Sequence, residues 1–183
     1  RHLAWFRQLI ELQQDTHGPE EFLEFLKVDL YQDEIFVFTP RGDVKRLPKG
    51  ATPIDFAFAV HTEVGLHCQG ARINGRIAPL HRPIRNGDSV EILTSPQARP
   101  SQDWLGHVHT GRARTKIRQW VRQEEHARSL ELGRELLERE VRRRRLTPPT
   151  DDQLERAAAA LSIGSPEQLI AAMGRGDVAH GQV

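Results

Sequence analysis

The stretch EIFVFTPRGDVKRLPKGATPIDFAFAVHTEVGLHCQGARINGRIAPLHRPIRNGDSVEILTS, residues 34–95, decides the fold. Two Asn-Gly pairs, Asn74-Gly75 and Asn86-Gly87, lie between apolar runs. Both residue types tolerate the positive φ that tight turns demand, so the first pair predicts a hairpin and the second a turn. A turn at Pro40-Arg41-Gly42-Asp43 separates expected strands over residues 34–39 and 44–47, and Pro48 and Gly50 end their pairing.

A helix follows. Thr52 suits the N-cap, Pro53 the first helical position, where its missing N–H costs nothing, and Gly65 the far end, so the helix is expected over residues 53–64. Further strands are expected over residues 71–73, 76–80 and 89–94. The resulting β-β-α-β-β-β order implies an α+β fold, with a small mixed sheet wrapped over one helix in the β-grasp, or ubiquitin-like, manner.

The C-terminal half reads as helix. From 112 to 145 the apolar residues Ile117, Trp120, Val121, Leu130, Leu136, Leu137 and Val141 recur at helical spacing, and Gly133 between them implies two helices or a bend. Pro148 and Pro149 break the pattern, after which Asp151 is expected to cap a helix through Leu161. Ser165, Pro166 and Glu167 open another that ends near Gly174, and residues 176–183 read as a frayed end. The Arg142 to Arg145 run has two readings, a phosphate site or cations that suit a helix C-terminus.

Composition sets the limits. A formal charge of +1 hides an asymmetry: residues 1–35 hold three basic and eight acidic residues, and residues 110–145 twelve basic and six acidic. The balance gives no case for general nucleic-acid binding, yet the second segment presents a basic face. A single cysteine, Cys68, excludes an internal disulfide and fits a reducing compartment. No apolar run approaches the ~20 residues that span a bilayer, and no cationic leader precedes one, so a soluble cytoplasmic protein is expected. The absence of Met at position 1 reads as a piece of a longer protein.

Catalytic chemistry is sparse. The G-x-x-x-x-G-K, G-x-S-x-G and H-E-x-x-H patterns are absent, and the carboxylates are scattered. His67 beside Cys68, and His107 with His109, lack a closing ligand set, so no metal and no cofactor is expected.

The segments VFTPRGDVKRLPKGATPIDFAFAVHTEVG and NGDSVEILTS resemble a TGS domain, a module of threonyl-tRNA synthetases, certain GTPases and the long RelA/SpoT-type enzymes that make and degrade (p)ppGpp. The continuation separates these. Ser101-Gln102-Asp103-Trp104-Leu105 and residues 110–118 resemble the link into the RelA/SpoT helical domain, and AWFRQLIELQ near the start resembles the end of the synthetase domain. The implied organisation is a synthetase-domain tail over residues 1–33, a TGS domain over 34–96 and a helical domain over 97–183. None of the nine histidines precedes an Asp, so the His-Asp pair expected of the family's hydrolase domain lies elsewhere. The chain itself is expected to catalyse nothing, and its parent to be a GTP diphosphokinase, bifunctional or synthetase-only.

Two readings compete at His61. On a helical wheel Ile54, Ala57, Val60 and Val64 share one side and His61 falls inside that arc, the pattern of a core histidine. The resemblance implies instead that His61, with Thr62 and His67 beside it, contacts the CCA end of tRNA, where an imidazole both donates to and stacks on an unpaired adenine. Arg72, Arg76 and Arg82 would then neutralise phosphates, or else form a solvated sheet face. Arg112, Arg114, Lys116 and Arg118 would touch ribosomal RNA, or else face solvent. The implied partners are deacylated tRNA, the ribosome and the parent's own catalytic domains, in control of (p)ppGpp metabolism during the stringent response. The alternative is a protein-interaction or autoregulatory module that binds a regulator such as acyl carrier protein or those catalytic domains. A ubiquitin-like sulfur carrier is disfavoured, because the last strand runs on through Thr94-Ser95-Pro96 in place of a terminal Gly-Gly.

Overall fold

The computed structural model describes residues 33–178. The synthetase-domain tail expected over residues 1–33 and the end of the expected frayed segment therefore lie outside the described residues, apart from Asp33 and residues 176–178. The chain divides into two compact units, one through Val121 and one from Arg122.

In the first unit β1 (Glu34–Phe38) pairs antiparallel with β2 (Val44–Pro48), and β3 (Cys68–Ile73) pairs antiparallel with β4 (Arg76–Ala78) and β5 (Val90–Thr94). The two groups join where β1 runs parallel to the start of β5, through a bridge between Phe38 and Ser89. Phe38 N donates to Asp88 O at 2.9 Å and Gly87 N to Phe36 O at 2.8 Å, which sets the two-stranded β1-β2 sheet beside the β5 edge of the three-stranded β4-β3-β5 sheet, the strand arrangement of a β-grasp fold. Both Asn-Gly pairs act as expected. Asn74 and Gly75 have φ of 53° and 78°, as a type I′ hairpin turn requires. The Asn74 carboxamide also accepts from Ser89 N at 2.9 Å, and Asn86 Oδ1 accepts from Phe36 N at 2.8 Å, so each turn is tied to a neighbouring strand.

The helical element departs from the expected single helix over 53–64. It is two helices, α1 (Pro53–Val60) and α2 (Thr62–Leu66), with His61 extended between them at φ −162° and ψ 148°. Gly65 explains the break. A Cβ placed there would sit 2.4 Å from the ring of Phe58, which is fully buried. In a straight helix residues seven apart are about 10 Å apart along the axis, so the backbone of residue 65 reaches Phe58 only if the chain folds back. Gly65 is thus a close-packing residue within α2, not the terminator the sequence reading assigned. Smaller differences follow local chemistry: β3 begins three residues earlier than expected, across an irregularity between Cys68 and Gly70, and β4 stops before Pro79, which has no N–H to donate.

α1 is buried on two sides. Phe56 joins Ile35, Val37, Leu47, Ala51, Ile73, Ala78, Ile84 and Val90 beneath the sheet. Ile54 and Phe58 pack on the other side against Val108, just after a short 3-10 helix (Gln102–Gly106), and against Ala113 and Ile117 in the first turns of α3 (Gly111–Arg144). Residues 97–121, read from sequence as the opening of the helical domain, therefore pack within the first unit.

In the second unit α3 continues without interruption through Gly133, where a bend or a second helix was expected. A Cβ at Gly133 would lie 1.9 Å from Ile170 O, and one at Gly174 would lie 1.8 Å from Ser129 O. The two glycines let α3 and α5 (Pro166–Arg175) meet backbone to backbone. α4 (Asp151–Ala160) is capped by Thr150, one residue before the expected Asp151: Thr150 Oγ1 accepts from Gln153 N at 3.3 Å while Gln153 Oε1 accepts from Thr150 N at 2.9 Å. This reciprocal capping box satisfies two donors at once. Gly176, at φ 83°, closes α5 just past the expected end near Gly174.

Gly65→Ala forces a methyl into the Phe58 ring and is expected to destabilise the first unit by about 1–3 kcal/mol. Chemical denaturation followed by tryptophan fluorescence checks this, and an unchanged midpoint would remove the packing explanation for the helix break.

Candidate RNA-end interface

The position of His61 starts at the other end of α1. Asp55 is fully buried and its carboxylate accepts from Thr52 N at 2.9 Å and Thr52 Oγ1 at 3.2 Å. The same carboxylate accepts from His109 N at 3.0 Å, Thr110 N at 2.8 Å and Thr110 Oγ1 at 2.8 Å. Thr110 Oγ1 in turn accepts from Ala113 N at 3.2 Å, in the first turn of α3. One buried anion thus caps α1 and receives the chain entering α3. His109 Nδ1 lies 3.9 Å from Asp55 Oδ2, too far for a hydrogen bond.

With its start fixed, α1 delivers His61 at its exit. His61 N donates to Ala57 O at 3.2 Å, and its Nδ1 accepts from Glu63 N at 3.2 Å, so one residue closes α1 and opens α2. A neutral ring that accepts at Nδ1 carries its proton on Nε2 and presents it as a donor. The ring is exposed. The helical-wheel placement among core residues fails because the helix stops before His61, and a wheel drawn through a break assigns the wrong face.

Thr62 and His67 are half-buried, at the two ends of α2. His67 Nδ1 lies 3.2 Å from Arg99 NH1, and its Nε2 lies 3.6 Å from Glu63 Oε2. Next to it, burial pushes the Cys68 thiol up to about 11, against a weak lowering by its contact with Gly70 O. The thiol therefore stays protonated near neutrality, which suits a packing residue and not a nucleophile or ligand.

The arginines sort differently from one another. Arg72 forms a cross-strand ion pair with Glu91 at 3.2 Å, its register partner on β5. Arg76 and Arg82 are exposed. Arg112, Arg114, Lys116 and Arg118 are each half-buried in the first turns of α3, and Arg114 donates to Val108 O at 3.2 Å, so they do not form an open solvated face. Of the Arg142 to Arg145 run, Arg142 pairs with Glu138 at 3.1 Å, and Arg143 and Arg144 pair with Glu140 at 2.8 and 2.6 Å. Burial alone would raise the Glu140 pKa, but hydrogen bonds and the charges of these two arginines together outweigh it and hold the carboxyl below its ordinary value. That run reads as the cationic end of a helix. Arg99, between Pro96 and Pro100, was missed by the sequence reading, where only an isolated basic residue in a proline-bounded coil marked it.

Comparison with known proteins matches residues 35–94 to the TGS domain and residues 120–183 to the RelA/SpoT AH domain, together more than half of the chain. The chain belongs to the RelA/SpoT family. It is 49% identical over 183 residues to a GTP pyrophosphokinase of Myxococcus xanthus, covering 98% of this chain and 24% of that protein. It is 54% identical over 143 residues to the bifunctional (p)ppGpp synthase/hydrolase RelA of Mycobacterium tuberculosis, covering 77% and 19%. With a guanosine-3′,5′-bis(diphosphate) 3′-pyrophosphohydrolase of Aquifex aeolicus it shares 44% identity over 172 residues, covering 94% and 24%. This RelA/SpoT chain thus spans about a quarter of the length of the curated relatives it matches, or less. Among its described residues no helix is long and apolar enough to cross a membrane.

The protonated, buried state of Cys68 predicts slow labelling by a thiol reagent at pH 8 in native buffer and rapid labelling once the chain is unfolded. Equal rates in the two conditions would contradict it.

Proposed function

We propose that this chain is the regulatory, non-catalytic region of a cytoplasmic RelA/SpoT-type (p)ppGpp enzyme, and that it senses the CCA end of deacylated tRNA on the ribosome. The observation that carries the reading is the exposed His61 at the break between α1 and α2, its Nδ1 accepting from Glu63 N, an arrangement that in a neutral ring leaves Nε2 as the donor. Such a ring stacks on an unpaired terminal adenine and donates to it, which is how single-stranded RNA ends are read.

Discrimination against charged tRNA requires a wall that does not yield to an esterified amino acid. The chain beside His61 has that character, because α2 rests on Phe58 at Gly65 with no room between them. Docking of the bare end would shift the parent, a GTP diphosphokinase with or without hydrolase activity, towards (p)ppGpp synthesis. A specific observation favours a second reading as a protein-interaction module for acyl carrier protein or the parent's catalytic domains. Phe36, Phe38 and Val44 stand exposed on one face of the β1–β2 hairpin, Phe38 directly opposite Val44. Complex formation that survives nuclease and high salt separates this reading from the first.

His61→Ala in the full-length protein is expected to weaken binding of deacylated tRNA on the ribosome by about 1–3 kcal/mol, with the melting temperature unchanged. Equal affinity of wild type and variant would remove the proposed role.

A further inference from the structure

We propose that Arg99 is a phosphate-binding residue for the same RNA end, a role that sequence alone gave to Arg72, Arg76 and Arg82; the inference rests on the reading of His61 given above. The guanidinium of Arg99 is pinned through a single nitrogen. NH1 donates to Pro96 O at 2.6 Å and Ala98 O at 2.8 Å and approaches His67 Nδ1 at 3.2 Å. Those contacts use the hydrogens of NH1 and leave Nε and NH2 without a partner among the described residues. No carboxylate lies within ion-pair distance of Arg99 among those residues, so its charge is uncompensated, whereas that of Arg72 is matched by Glu91.

A guanidinium held by one nitrogen keeps the edge formed by Nε and NH2 in a fixed orientation, and that edge is the one that matches two oxygens of a phosphate. The pinning also removes much of the side-chain entropy that binding would otherwise cost. The backbone carbonyls that hold NH1 carry no formal charge, so they leave the guanidinium its attraction for an anion.

Placement links this cation to His61. His67, which Arg99 touches, closes α2, and His61 opens it, so the two histidines stand roughly 9 Å apart along the helix axis. A terminal nucleoside against His61 and the phosphodiester that precedes it span a separation of that order. The ligand class is the phosphodiester of a single-stranded RNA 3′ end.

The test uses the full-length protein on ribosomes with deacylated tRNA, either natural or carrying neutral methylphosphonates in place of its last three phosphodiesters. Arg99→Gln is expected to weaken binding of natural tRNA roughly tenfold and to lower the salt slope by about 1. Neutral linkages should weaken wild-type binding, and Arg99→Gln should add little to that loss, because both changes remove the same contact. Losses that add in full would assign Arg99 to positioning of α2 and overturn the proposal, as would wild-type affinity of Arg99→Gln. If His61→Ala weakens binding while Arg99→Gln does not, only the phosphate role fails; if neither weakens it, the reading of the site fails with it.

Discussion

A single buried carboxylate organises the first unit. Asp55 accepts from Thr52 and, more than fifty residues along the chain, from His109 and Thr110. Removing a charge from water is expensive, and such a group is tolerated only when donors surround it. Here backbone amides and two hydroxyls supply them, and charge-assisted bonds of this kind contribute about 1.5–3 kcal/mol each. The same carboxylate takes up the amide of Thr52, the residue that precedes α1, and holds the threonine that caps α3. A local helix cap and a long-range tie are one interaction.

From that point the candidate site follows by packing. α1 is fixed at its start by Asp55 and pressed on both sides by the sheet core and by Val108, Ala113 and Ile117. Its far end has little freedom left, and the Gly65 contact with Phe58 turns the chain sharply enough to place His61 outside both helices. The imidazole is therefore presented by rigid elements although it lies in neither. Rigid presentation is what exclusion of a slightly larger ligand needs, since a compliant surface would admit both.

What could be read from sequence divides along local and non-local chemistry. Asn74-Gly75, Thr52-Pro53 and Ser165-Pro166 specify their turn and caps through neighbours in sequence, and the strand order they frame is the one observed. Asp55 was half legible: Thr-x-x-Asp is a capping-box spacing, but nothing near it points to Thr110. Gly65 and Gly133 were misread for a shared reason. A glycine in a helical pattern signals a terminator, a bend or a close approach, and only the partner, Phe58 or Ile170, decides which. For His61 the apolar periodicity on either side concealed the break, and Arg99 carried no pattern at all.

The most direct measurement is amide hydrogen exchange on wild type and Asp55→Asn. If the carboxylate ties α1 to the entry of α3, the amides of Thr52, His109 and Thr110 should be slow in wild type and should lose protection together in the variant, while the β3–β5 pairing keeps its own. Retained protection at His109 and Thr110 in Asp55→Asn would contradict the account.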